Sequence, residues 1–268
     1  MRKSGLIHLA LRGAGRLFGE EKLLAWLGFL GFVLAAGIAA YMSMFGSVVP
    51  PEGDIASAFS FDAAIGAFTL SIAMLLPLSG IKAKARTTIR RVLVPTIIYA
   101  YAVETIQHFR GINPRFTQSG SSLDLIAGLV FGLASFVLII VTTVVAVSFF
   151  RRSLLAERPL LILGIRYSFL SVMIAFAAGL WMIVLSARHT GAGGNILVLH
   201  GLAFHALQVL PLLGWLLERS RAEARRTQML LHVGSAAWIA AVAAVAIQTI
   251  EGRTVFEWTA LPMAAAAG

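Results

Sequence analysis

Tyr101, Glu104 and His108 stand at i, i+3 and i+7, a spacing that puts three side chains on one face of a helix. A phenol, a carboxylate and an imidazole in a row can pass protons, and the carboxylate with imidazoles can ligate a metal. A second stretch supplies His200, His205 and Gln208. Five residues of helix turn through about 500°, so His200 and His205 point about 140° apart, and one small ion cannot take both without a local distortion. His205 and Gln208, three apart, do share a face. Five of the six lie in long apolar runs, and His108 stands one residue past the end of its run; a polar group is costly to bury there. Counting 1.5 Å per residue from each run's centre puts Glu104 about 6 Å, His108 about 12 Å and His200 about 9 Å to the same side of the midplane, with His205 close to it.

Four chemistries are open to this set. His108 and His200 match in depth and could ligate a b-type haem from two helices. Glu104 with His200 and His205 could hold a non-haem divalent metal. A proton path could run from Glu104 to His205. The plainest possibility is interhelical hydrogen bonding with Glu104 protonated or paired. Toward the opposite side, Arg166 and His232 each sit about 10 Å from the midplane. Arg166 is long enough to snorkel to the headgroups, or it turns inward onto an anionic headgroup, a quinone oxygen or a carboxylate.

The elements that carry these residues are seven apolar runs, roughly 23–45, 63–81, 92–107, 125–150, 160–187, 196–217 and 229–250. Most reach the ~20 residues that cross ~30 Å of hydrocarbon. Seventeen of the 22 Lys and Arg residues fall before the first run or in the second, fourth and sixth gaps, and four fall in the other gaps and the tail. The positive-inside rule then sets the N-terminus in the cytoplasm and the C-terminus outside, in a bacterial-type cytoplasmic membrane. The sequence therefore predicts an all-α polytopic bundle of seven transmembrane helices: a cytoplasmic amphipathic segment over 1–22, a single transmembrane domain over 23–250 and an external tail over 251–268. In the first segment His8, Arg12 and Arg16 share one face and Ile7, Leu11 and Phe18 the other. The first run is too long for a cleavable leader.

Charged residues make up 13% of the chain, about half the share of a soluble domain, and the basic ones sit in short loops beside spans. That placement fits anionic lipid headgroups as partners and argues against nucleic acid. With no cysteine, thiolate-ligated haem, iron–sulfur clusters, Cys-type zinc sites and disulfides are excluded. No hydrolase or phosphate-loop motif occurs, and the seventh run holds no Lys for a retinal Schiff base. With the second run starting at Ala63, no Asp falls within a span, unlike the His/Asp metal sites of seven-helix membrane hydrolases. No internal repeat is apparent, and an odd number of spans would leave one helix outside any repeat. Gly128 and Gly132 read as a close-packing seam within the bundle.

The stretches Glu104–Phe116, Gly164–Arg166 and His200–Pro211 are similar to a group of uncharacterised bacterial multi-span membrane proteins. The resemblance covers the third to sixth runs and implies the architecture, not the chemistry. Three function classes follow from the residues: a haem-, metal- or quinone-binding protein with its site in the outer half of the bundle, a proton-coupled small-solute transporter or channel, and a membrane scaffold or accessory subunit.

Overall fold

The computed structural model describes Gly15 and residues 19–255. The amphipathic pattern of His8, Arg12, Arg16, Ile7, Leu11 and Phe18, and most of the tail, lie outside the described residues. The chain forms two compact units, Met1–Ser148 and Phe149–Gly268.

The first unit holds helices α1 (Lys22–Phe45), α2 (Ile55–Leu75), α3 (Ala83–Phe109) and α4 (Ser122–Ser148), with a short hairpin of β1 (Val48–Val49) and β2 (Gly53–Asp54) between α1 and α2. The second holds α5 (Arg152–Glu157), α6 (Pro159–Leu185), the hairpin β3 (His189–Thr190) and β4 (Gly194–Asn195), α7 (Ile196–Glu218) and α8 (Ala224–Ile250). Apart from the hairpins, all the regular structure among the described residues is helical. Among the described residues six helices are long and apolar enough to cross a membrane; α2 with its closing 3-10 turn, Leu76–Ser79, is one of them. The long helix that falls short is α3, whose first turns carry Lys84, Arg86, Arg90 and Arg91 and whose last turns carry Glu104, Gln107 and His108. The sequence reading placed these bases in a gap, whereas they ride on the helix itself.

Each unit contains the same motif of helix, hairpin, helix, helix, so the repeat that hydropathy hides is real at the level of structure. One constant offset aligns Gly53 with Gly194, Asp54 with Asn195, Ile55 with Ile196, Ile106 with Ile247, Gln107 with Gln248 and Gly111 with Gly252. The hydrogen bonds repeat with the residues. Asp54 caps α2 by accepting from Ala56 N at 3.2 Å, and Asn195 caps α7 by accepting from Leu197 N at 3.0 Å. Ile55 N donates to Ser47 O, and Ile196 N to Arg188 O. Ile112 N returns to Gln107 O as Arg253 N returns to Gln248 O, each closing a helix through a glycine at positive φ, 78° at Gly111 and 71° at Gly252. Glu52 N donates to Gly111 O and Gly193 N to Gly252 O, docking each hairpin on the end of its third helix. The odd helix is α4, which follows the first motif.

Glycines let the first two helices of each motif approach backbone to backbone. A Cβ on Gly31 would meet Asp62 O at 2.6 Å and Gly66 Cα at 2.9 Å; in the second unit, Gly164 faces Leu210 O and Gly214 faces Leu160 O. The seam read at Gly128 and Gly132 is different: Gly128 admits the carbonyl of Pro114 from the loop that precedes α4, and Gly132 has nothing within 4 Å. Away from the hairpins, ion pairs fasten the helix ends. Arg86 and Arg90 of α3 hold Glu20 and Glu21 at 2.9 Å and 2.8 Å, and Arg158 holds Glu218 at 2.7 Å.

Candidate functional site

The densest buried polar cluster of the first unit lies below its hairpin, where α2 and α3 meet and the loop after α3 folds back. α2 begins at Ile55, so Asp62 lies two turns inside it; the reading that no Asp falls within a span is corrected. Asp62 and Glu104 are both fully buried. The Thr105 hydroxyl donates to Asp62 Oδ2 at 2.9 Å, which sets Asp62 beside the turn that carries Glu104. Arg115, delivered by the loop, donates from Nη2 to Glu104 Oε1 at 2.6 Å. Its guanidinium carbon lies 5.3 Å from the Phe61 ring centroid and 5.6 Å from that of Phe131.

His108 is buried one turn beyond Glu104 and receives a hydrogen bond from Asp54 N at its Nδ1, 3.0 Å away. An accepting Nδ1 puts the ring proton on Nε2 in the neutral form, so the imidazole presents a donor and not a ligating lone pair. That Nε2 stands 3.4 Å from Glu104 Oε1, within ion-pair range but outside hydrogen-bond geometry. Three buried polar atoms of these residues have no hydrogen-bond partner: Asp62 Oδ1, Glu104 Oε2 and His108 Nε2. Bare carboxylate oxygens in an apolar interior are expensive, and a proton turns one of them into a donor. Two carboxylates against one guanidinium leave one negative charge unbalanced when His108 is neutral.

The other candidate residues have local uses. Tyr101 is buried and its hydroxyl donates to Leu27 O at 3.3 Å. His200 Nδ1 lies 2.7 Å from Ala175 O, and His205 is exposed, with its Nδ1 3.3 Å from Gln208 Oε1. Arg166 Nε donates to Phe149 O at 2.8 Å and Nη2 to Arg151 O at 2.9 Å, which clamps α6 to the segment entering the second unit. Among the described residues no group of three or more His, Asp or Glu side chains is placed to hold a metal ion.

The repeat supplies an internal comparison. At the positions of Asp62, Tyr101, Glu104, Thr105 and His108 the second unit carries Ala203, Val242, Val245, Ala246 and Thr249. Ala203, Val242 and Val245 belong there to a buried apolar cluster with Ala175, Ala178, Ile196 and Leu199. The same backbone motif thus closes over hydrocarbon in one unit and over charge in the other. Asp62, Thr105 and Arg115 are the members that sequence reasoning missed, and the paired Gly-Asx-Ile signatures at 53–55 and 194–196 were the signal that would have moved the start of α2 back to Ile55.

No protein-family model, curated protein or solved structure matches this chain.

Proposed function

We propose that the chain is a seven-span protein of a bacterial cytoplasmic membrane, N-terminus in and C-terminus out, that couples proton uptake to movement of a small solute through the cluster of Asp62, Glu104, His108 and Arg115. α3 serves as the seventh span, its basic first turns at the inner interface and its last turns in the outer half, which puts the cluster within reach of the outside. A three-plus-one-plus-three arrangement of like motifs is an order also built into carriers with parallel repeats.

The observation that carries the reading is the apolar counterpart in the second unit. Since Ala203, Val242 and Val245 fill the equivalent space, the motif does not require buried charge to fold. Charge retained at cost inside a bilayer marks a working group more often than a structural one. The exchangeable proton belongs to the Asp62–Glu104 pair, and Arg115 holds the remaining charge in place. A cofactor reading gains little from His108, whose ring nitrogens are turned to Asp54 and Glu104. The scaffold reading is the alternative that the experiment must beat.

The chain reconstituted in liposomes with a trapped pH dye should pass protons when an outside-acid gradient is imposed with a mixture of small organic solutes outside. E104Q and D62N should each lower that flux at least tenfold while inserting normally and staying monodisperse. Equal flux in wild type, E104Q and D62N would reduce the cluster to helix glue.

A further inference from the structure

Arg115 is a cation whose anion is supplied from within. Glu104 is fully buried, while the Arg115 side chain is about a quarter exposed, so the acid is sealed and the base can be approached. The guanidinium lies within cation–π distance of two rings, and its planar fork, which suits carboxylates and phosphates, here holds a carboxylate. We propose that protonation of Glu104 frees Arg115 to bind a small organic carboxylate, a monoanion, in its place, so that one proton and one monoanion travel together. The inference rests on the proton-exchange reading above and names the solute.

The charges balance at each step. Before loading, one proton held by the Asp62–Glu104 pair leaves the two carboxyls with one negative charge between them, against one positive charge on Arg115. After loading, Glu104 is neutral, with the added proton on its carboxyl, and the solute carboxylate supplies the negative charge. No covalent bond forms or breaks except the O–H bond on Glu104. A solute carboxylate arriving at unprotonated Glu104 meets a like charge in a poorly solvated space, so the two ligands bind in concert. A dianion brings a charge for which the cluster has no partner: beyond Arg115 the groups facing it are Asp62 from α2, and His108 and Tyr101 from α3. Arg110 is engaged with Asp124 of α4 at 2.6 Å. Asp54 offers His108 its backbone N–H, and its own carboxylate accepts from Ala56 N and Ser57 Oγ.

Pyruvate serves as the probe, with succinate as the dianion control, on the purified full-length chain. Wild type should bind pyruvate at least about tenfold more tightly at about pH 5.5 than at about pH 8, a difference of 1.4 kcal/mol or more. E104Q, neutral at both pH values, should bind it equally at both, a gain at high pH that loss of a merely structural contact does not produce. R115Q should lose pyruvate at both pH values; if it does not fold, R115K should insert but bind at least tenfold more weakly, its fork gone. In liposomes, proton entry should rise with external pyruvate and not with succinate. Pyruvate binding that is pH-independent in wild type, or undiminished in R115K, overturns the inference. Cluster-dependent proton flux that ignores pyruvate overturns it too and leaves the proton reading standing, whereas flux indifferent to E104Q overturns the reading beneath it.

Discussion

At the scale of single residues, the useful distinction is between polar groups that are fully answered and groups that are not. Arg166 is answered. Two carbonyls 2.8 Å and 2.9 Å from its guanidinium take up its side chain, and R166K keeps the charge but cannot serve both. That variant should lose about 1 kcal/mol of stability, the usual net worth of one hydrogen bond, with transport intact, as read by thermal melting and flux together. An unchanged melt would show that the clamp contributes nothing. His205, exposed, should tolerate Ala within about 0.5 kcal/mol, in contrast to Glu104. Glu52 gives a pH test outside the spans. The Thr117 hydroxyl foremost, and then the backbone N–H groups of Gln118 and Asn113, outweigh its desolvation and lower its pKa to about 2. A depressed carboxylate pKa stabilises the folded form above the ordinary carboxylate range and loses that contribution as pH falls toward 2. E52Q should therefore melt earlier than wild type at neutral pH, with the gap closing between about pH 4.5 and 2. A gap that stays constant across that window would contradict the assignment.

At the scale of elements, hydropathy located the spans and hid their ends. The second run was dated from Ala63 because Asp62, Ser60 and Ser57 interrupt the apolar stretch, yet Asp54 caps the helix eight residues earlier and those polar groups are all helical. An apolar count detects hydrocarbon; an Asx cap followed by Ile detects the start of a helix, and the two disagree where a helix buries charge. For the same reason Glu104 and His108 were legible on one face from their spacing, while Arg115 was not, because the loop that brings it back follows a glycine turn at Gly111. The repeat was illegible to hydropathy because its shared residues are few and sit in hairpins and caps. Those residues make a test. Gly53→Ala drives a Cβ to 2.8 Å from Gly111 Cα, and Gly194→Ala drives one to 2.6 Å from Thr249 O, so each should cost about 1–3 kcal/mol as overpacking. Gly37→Ala, with open space around it, should be neutral or slightly stabilising on the same melts. Equal effects at all three would mean that the hairpins are not docked as described.

At the scale of the whole molecule, charge asymmetry across the chain supports the proposed orientation, and the asymmetry between its two units supports the proposed function. Lys82, Lys84, Arg86, Arg90 and Arg91 cluster where α3 begins, and Arg219, Arg221, Arg225 and Arg226 cluster where α8 begins. Both third helices of the repeat should therefore start inside and end outside. A periplasm-active reporter fused after Gly268 should be active and a cytoplasm-active one silent; the reverse pattern would place α3 on the wrong side or out of the membrane. Orientation decides whether the buried acids can meet the external pH, and that meeting is the heart of the proposal. Infrared difference spectra of the reconstituted protein between high and low external pH observe it directly, because a protonated carboxyl in an apolar site has its own carbonyl stretch. Wild type should gain such a band on acidification, E104Q and D62N should each lose part of it, and the double variant should lose all of it. A spectrum in which wild type and the double variant acidify identically would show that Asp62 and Glu104 exchange no proton.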